Sequence, residues 1–126
     1  MARILVVDDQ FGVRILLVEL FQDDDHEVES AENGEEALRV LRSFEPDLIL
    51  LDMKMPGMNG IETLRQIRDL NCQVAVIMMT GYGDDLQNME QAKELGIICY
   101  IAKPFDLFKL RERVKEILNS CGKMPC

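Results

Sequence analysis

Two acidic residues in succession, Asp8 and Asp9, close one apolar run of the chain, and a third, Asp52, closes another. Thr80 follows a further apolar run, and Lys103-Pro104 stands at the end of the last. Carboxylates gathered in one place repel, and such a cluster is stable only with a proton or a cation among them. A hard divalent ion with oxygen ligands suits it, which points to Mg²⁺, with Mn²⁺ as a substitute. Two carboxylates and a main-chain carbonyl leave coordination positions for water and a phosphate oxygen. Lys103 adds a point cation and Thr80 a hydroxyl donor. Those groups fit phosphoryl transfer, where catalysis is mostly positioning and charge neutralisation. A carboxylate can serve as the nucleophile by forming an acyl phosphate.

These residues meet only if the fold brings several strand ends to one rim. The continuous apolar runs Arg3–Asp8, Asp47–Asp52 and Val74–Met79 read as strands buried on both faces of a parallel sheet. Glu27–Ala31 and Ile98–Ala102 read as weaker strands at the sheet edges. Helical signals lie between them. Val13, Leu16, Leu17, Leu20 and Phe21 keep i, i+3, i+4, i+7, i+8 spacing. Asn33 with Glu36, and Asn59 with Glu62, read as helix caps with reciprocal partners, opening helices to about Ser43 and Asp69. Asp84 or Asp85 opens a helix ending near Gly96, and Asp106 opens the last, to about Asn119. Strand–helix alternation of this kind predicts a doubly wound α/β fold, a parallel sheet with right-handed crossovers and helices on both faces. In such sheets the site lies beyond the carboxyl ends of the strands. That is where Asp8-Asp9, Asp52, Thr80 and Lys103 fall.

A chain of 126 residues fits one domain with a real hydrophobic core, read here as residues 1–119 with a short tail, 120–126, and no output domain. With 48% apolar and 29% charged residues, the composition is that of a globular protein. A formal net charge of −9 would repel a phosphate backbone, so direct nucleic-acid binding is not expected. No signal peptide is read, and no apolar stretch approaches the roughly 18 residues of a membrane span. The expected location is the cytoplasm, with no membrane association. Cys72, Cys99, Cys121 and Cys126 then read as reduced thiols.

VDD after strand 1, LLDMKMPGMNG after strand 3, MTGYG after strand 4 and AKPF after strand 5 resemble the bacterial two-component response-regulator receiver domain, over about Arg3 to Leu118. The resemblance implies a flavodoxin-like (βα)5 fold with strand order 2-1-3-4-5. It implies phosphorylation on Asp52, with Mg²⁺ held by Asp8, Asp9, Asp52 and the carbonyl of Lys54. Thr80 and Lys103 would contact the phosphoryl oxygens, and Thr80 with Tyr100 would form the conformational switch. Within the family, VDDQFGVRILLVELF, LLDMKMPGMNGIE and AKPFD are similar to the single-domain phosphorelay intermediates of sporulation initiation in spore-forming Firmicutes. Those pass a phosphoryl group from a sensor histidine kinase to a histidine phosphotransferase. An aspartyl-phosphate phosphatase is a further implied partner. The sequence departs from that group at Tyr100, where a histidine is usual, and at Gly81, where an alanine is usual.

Other features have plainer readings. Asp23-Asp24-Asp25 reads as a solvated loop, and His26, the one histidine, lies far from the rim. Met53, Met55, Met58, Met78 and Met79 read as core and loop filler. Gly81-Tyr82-Gly83 lacks the third glycine of a dinucleotide loop. In helix 1 the core stripe is complete at Val13, Leu16, Leu17, Leu20 and Phe21, yet Phe11, Ile15 and Val18 add a second apolar row. That excess predicts a docking surface for partner helices made from Gln10, Phe11, Gly12, Val13, Ile15 and Leu16, joined by Phe105. The rival to a relay is a receiver that signals by binding a target protein when phosphorylated. An Asp-nucleophile phosphohydrolase would place a second Asp two residues after Asp52, where this chain has Lys54.

Overall fold

The computed structural model describes residues 2–55, 57–70, 73–81 and 86–120. Strands and helices alternate throughout: β1 Arg3–Val7, α1 Phe11–Asp23, β2 Glu27–Ala31, α2 Gly34–Phe44, β3 Leu48–Asp52, α3 Gly60–Asp69, β4 Ala75–Thr80, α4 Leu86–Glu94, β5 Cys99–Ala102 and α5 Leu107–Ser120. All pairings are parallel, in the order β2-β1-β3-β4-β5. This is the doubly wound arrangement the sequence predicts, with the less apolar β2 and β5 at the edges.

Side-chain alternation along the central strands divides the core in two. Leu5, Val7, Ile49, Leu51, Val76 and Met78 pack with Ala37, Leu41, Ile61, Leu64, Ile67 and Ala92, beneath α2, α3 and α4. Ile4, Val6, Leu48, Leu50, Ile77 and Met79 pack with Leu17, Phe21, Leu110, Val114 and Ile117, beneath α1 and α5. With helices on both faces, β3 and β4 are buried along their whole length, which is why they read as unbroken apolar runs.

The helix starts follow local chemistry. Asn33 Oδ1 accepts from Glu36 N at 2.8 Å, Asn59 Oδ1 from Glu62 N at 2.9 Å, and Asp106 Oδ1 from Phe108 N at 2.9 Å. The reciprocal half of the first box differs from expectation, since Glu36 Oε1 accepts from the backbone of Glu32 rather than of Asn33. Helix α4 begins at Leu86, and the predicted openers Asp84 and Asp85 lie outside the described residues. The same holds for the 121–126 tail and for Tyr82, Gly83, Cys72, Cys121 and Cys126. Cys99, on β5, is a free, half-buried thiol.

Helix α1 corrects the sequence reading of its faces. Only Leu17 and Phe21 are fully buried, with Val13, Val18 and Leu20 packed at the margin of the core. Leu16, expected in the core stripe, is 43% exposed, whereas Val18, expected on the outer row, touches the core. The acidic turn after α1 is also more than a solvated loop. Asp24 caps the helix end, and its two carboxylate oxygens accept from Nε and Nη2 of Arg111 on α5. Among the described residues no helix is long and apolar enough to cross a membrane.

Candidate functional site

Strand register builds the site. Val7 lies beside Leu51 in the β1–β3 pairing, so the next residues, Asp8 and Asp52, emerge side by side at the carboxyl rim. On the other side of β3, Asp52 is level with Met79, one residue before Thr80. Thr80 is level with Ala102, one residue before Lys103. The three carboxylates of Asp8, Asp9 and Asp52 each offer an oxygen within 4.8 Å of the others. Asp8 is wholly buried and Asp52 is 5% exposed, whereas Asp9 faces solvent.

Lys103 is the counter-charge. Its Nζ lies 2.6 Å from Asp8 Oδ2 and 3.4 Å from Asp52 Oδ1. Burial alone would lower the pKa of this ammonium. The hydrogen bond to Asp8 and the negative charges of Asp52 and Asp8 outweigh it and hold the pKa above the usual lysine value. One lysine does not balance the cluster. The Asp52 carboxyl is pushed up to about 7, first by burial, then by the charge of Asp8. Lys103 and the backbone N–H of Lys54 oppose this, the latter donating to Asp52 Oδ1 at 3.4 Å, while a hydrogen bond with the Asp9 carboxyl adds to it. A carboxyl in that state is short of positive charge, which is the condition a divalent cation relieves.

The surrounding backbone is close-packed. Met53 N donates to Met79 O at 2.9 Å, tying the β3 exit to β4, and Lys103 N donates to Thr80 O at 2.7 Å, tying β5 to β4. The Lys103–Pro104 peptide is cis. Gly60, the first residue of α3, donates its N–H to Met53 O at 2.9 Å, and a Cβ there would fall 2.3 Å from Asp52 O. A pocket of about 310 Å³ lined by Asp9, Lys54, Met55 and Asn59 opens beside the carboxylates.

These contacts bring Asp8, Asp9, Asp52 and Lys103 together, with Thr80 buried at the end of the adjacent strand and Lys54 directly after β3. Tyr100 stands apart on β5, where its hydroxyl donates to Met89 O of α4. Gln10, Val13, Leu16 and Phe105 line one apolar groove of about 500 Å³ beside Lys103. Gly81, Pro104 and Leu107 complete that groove, and the predicted docking set includes none of the three. Leu107 lies on the same face of α5 as the buried Leu110, Val114 and Ile117 and packs against the core, so its spacing reads as core rather than as docking surface. Phe11, at 68% exposed, and Ile15, at 43%, lie on the same helix outside the groove, with Gly12 exposed between them. A separate cleft of about 350 Å³ involves Asp24, His26 and Arg111 at the other end of the sheet, and none of the predicted site residues line it.

The family model for the response regulator receiver domain matches residues 4–115. The chain belongs to the response regulator receiver family. Sporulation initiation phosphotransferase F of Bacillus subtilis is 46% identical to it over 116 residues, covering 92% of this chain and 93% of that protein. Chemotaxis protein CheY of Halobacterium salinarum is 31% identical over 118 residues, covering 94% of this chain and 98% of that protein. The crystal structure of a CheY-like receiver domain protein from Methanospirillum hungatei superposes with a TM-score of 0.89 at 33% identity, covering 94% of each chain. In this receiver the acidic cluster stands at the rim where five parallel strands deliver their carboxyl ends.

The donor set fits Mg²⁺: hard oxygen ligands, an uncompensated buried carboxyl and an open side toward water. Binding to the folded state alone should raise the melting temperature as Mg²⁺ is added. Asp9 is exposed, so Asp9→Ala removes a carboxylate without opening a core cavity. It is expected to weaken Mg²⁺ binding about tenfold or more, read as a displaced midpoint in the titration of melting temperature against Mg²⁺. A titration that superposes on that of the unsubstituted protein would remove Asp9 from the ligand set.

Proposed function

We propose that this receiver is a phosphorelay intermediate, residues 1–119 forming its receiver domain, that takes a phosphoryl group on Asp52 from a sensor histidine kinase and passes it to a histidine phosphotransferase. The observation that carries this reading is the buried Asp52 carboxyl beside Asp8 at the sheet rim, with the Lys103 ammonium bridging the two. Similarity along nearly the full length of sporulation initiation phosphotransferase F supports the relay role. The reading places the protein in the cytoplasm, with an aspartyl-phosphate phosphatase as a further partner.

In the reaction, an Asp52 carboxylate oxygen attacks the phosphorus of the kinase phosphohistidine. The P–N bond breaks, its electron pair returns to the imidazole nitrogen, and an acyl phosphate forms on Asp52. Mg²⁺, held by Asp8, Asp9, Asp52 and the Lys54 carbonyl, supplies positive charge at the phosphoryl oxygens when bound. The Lys103 ammonium adds a second cation that stays protonated, and the Thr80 hydroxyl donates to a phosphoryl oxygen. Burial of Asp8 and Asp52 keeps water from most of the cluster, so these interactions act at reduced dielectric. Delivery reverses the first step, a phosphotransferase imidazole attacking the acyl phosphate and Asp52 leaving as carboxylate. Tyr100 and Thr80 form the switch by which the phosphorylated rim reaches α4.

The proposed docking set is Gln10, Phe11, Gly12, Val13, Ile15, Leu16 and Phe105. Loss of one buried aliphatic contact is worth roughly 1.5–3 kcal/mol. Ile15→Ala is therefore expected to slow transfer from a kinase about tenfold, while phosphorylation by acetyl phosphate, which needs no docking, stays unchanged. With Ile15 43% exposed, the urea midpoint should hardly move. The relay itself is tested by incubating phosphorylated protein with a histidine phosphotransferase. Loss of label only to water, at a rate the phosphotransferase does not change, would overturn it in favour of a receiver that signals by binding a target.

A further inference from the structure

The buried Asp8 is held at every polar atom it has. Its N–H donates to Ala31 O at 3.1 Å, its Oδ1 accepts from Gln10 N at 2.8 Å, and its Oδ2 accepts from Lys103 Nζ at 2.6 Å. The remaining atom, the main-chain carbonyl oxygen, accepts from Arg14 Nη1 at 2.7 Å. That carbonyl belongs to the peptide joining Asp8 to Asp9, so the Arg14 contact sets the plane from which the Asp9 side chain leaves. Asp9 is the exposed member of the cluster and has the least packing to direct it. The Arg14 guanidinium is in turn seated on Phe11, its central carbon 5.7 Å from the ring centroid. Helix α1 thus reaches back across its own first turn to grip the loop that carries the acidic pair.

We infer that Arg14 is a positioning residue for the cation site: through the Asp8 carbonyl it holds the Asp8–Asp9 peptide in the orientation that aims Asp9 at Asp52, with Phe11 as the platform for its guanidinium. The inference rests on the reading of the cluster as a Mg²⁺ site. It adds a second role to Phe11, and it gives α1 a direct connection to the phosphorylation site. A lysine at position 14 keeps a charged donor, whereas methionine keeps the apolar length and removes the donor.

The test compares the intact protein with Arg14→Met and Arg14→Lys, by calorimetric titration with Mg²⁺ alone and by the backbone ¹⁵N shift of Asp9, which reports the hydrogen bond on the preceding carbonyl. Arg14→Met is expected to bind Mg²⁺ about fivefold more weakly, in line with loss of one charge-assisted hydrogen bond acting at one remove, and to shift the Asp9 ¹⁵N resonance without Mg²⁺ present. Arg14→Lys is expected to recover most of both. Mg²⁺ affinity and an Asp9 shift unchanged in Arg14→Met would overturn the assignment, as would a lysine variant that binds as weakly as the methionine one. Should Arg14→Met fail to fold, an Arg14→Lys variant with native Mg²⁺ affinity but a displaced Asp9 resonance would also overturn it. Failure of the unsubstituted protein to bind Mg²⁺ would instead overturn the metal reading itself.

Discussion

Asp52→Asn should abolish uptake of acid-labile, hydroxylamine-sensitive phosphate and, in the absence of divalent ions, make the protein more stable at pH 8. Both effects come from one carboxyl. The amide is nearly isosteric but cannot attack phosphorus, so the first effect is all-or-none if Asp52 is the nucleophile. For the second, the folded-state pKa of Asp52 is raised to about 7 by burial and by Asp8, against about 3.9 in an unfolded chain. Between those values the folded protein keeps a proton that the unfolded chain has released. The contribution of Asp52 to stability is therefore fully present below about pH 4 and is lost as pH rises to about 7. Asparagine carries no such loss. The variant should match the parent near pH 4 and exceed it at pH 8 by roughly 2–4 kcal/mol, measured as urea midpoints in EDTA across pH. Saturating Mg²⁺ should close the gap by stabilising the parent. A constant difference at all pH values would mean that Asp52 ionises normally, and phosphate retained by the asparagine variant would move the nucleophile elsewhere.

Gly60→Ala should destabilise the fold by about 3 kcal/mol or more, although alanine in a helix ordinarily favours it over glycine by about 1 kcal/mol. The reversal comes from close approach. A Cβ at position 60 would lie 2.3 Å from Asp52 O and 2.7 Å from Met53 Cα, both backbone atoms fixed by β3 and by its contact with β4. Neither can swing aside as a side-chain tip would. The start of α3 would have to withdraw and give up the Gly60 N–H bond to Met53 O, loosening the backbone that carries Asp52. The comparison is Gly12→Ala in α1, where an added Cβ meets nothing within 4 Å and the helix-propensity gain should appear. Urea midpoints of the two variants should move in opposite directions, and a neutral or stabilising Gly60→Ala would show that α3 can yield at its first turn.

The acidic rim was legible because its signals are local. Each candidate group follows an apolar run that reads as a strand, and a parallel sheet sends all those ends the same way. Asn33, Asn59 and Asp106 announced their helices for the same reason, since a cap bonds to backbone two or three residues on. Helix α1 was misread at Leu16 and Val18 because Phe11, Val13, Ile15, Leu16, Leu17, Val18, Leu20 and Phe21 leave few directions around it polar. An almost uniformly apolar helix does not specify its own rotation. Packing on the sheet chose Leu17 and Phe21 as its buried pair.

By itself the sequence determined the element order, the sheet edges and the set of groups brought to the rim, all consequences of apolar runs and short-range capping. Tertiary structure decided how those groups share charge. Lys103 lies 95 residues from Asp8, yet it sits closer to Asp8 than to Asp52. Burial first, and then the charge of Asp8, raise the Asp52 carboxyl to about 7, and Lys103 only partly opposes them. Arg111 meets Asp24 across 87 residues, turning an acidic loop into an anchor between α1 and α5. Burial and the distance between charges set these outcomes, and both exist only once strands far apart in the chain lie side by side.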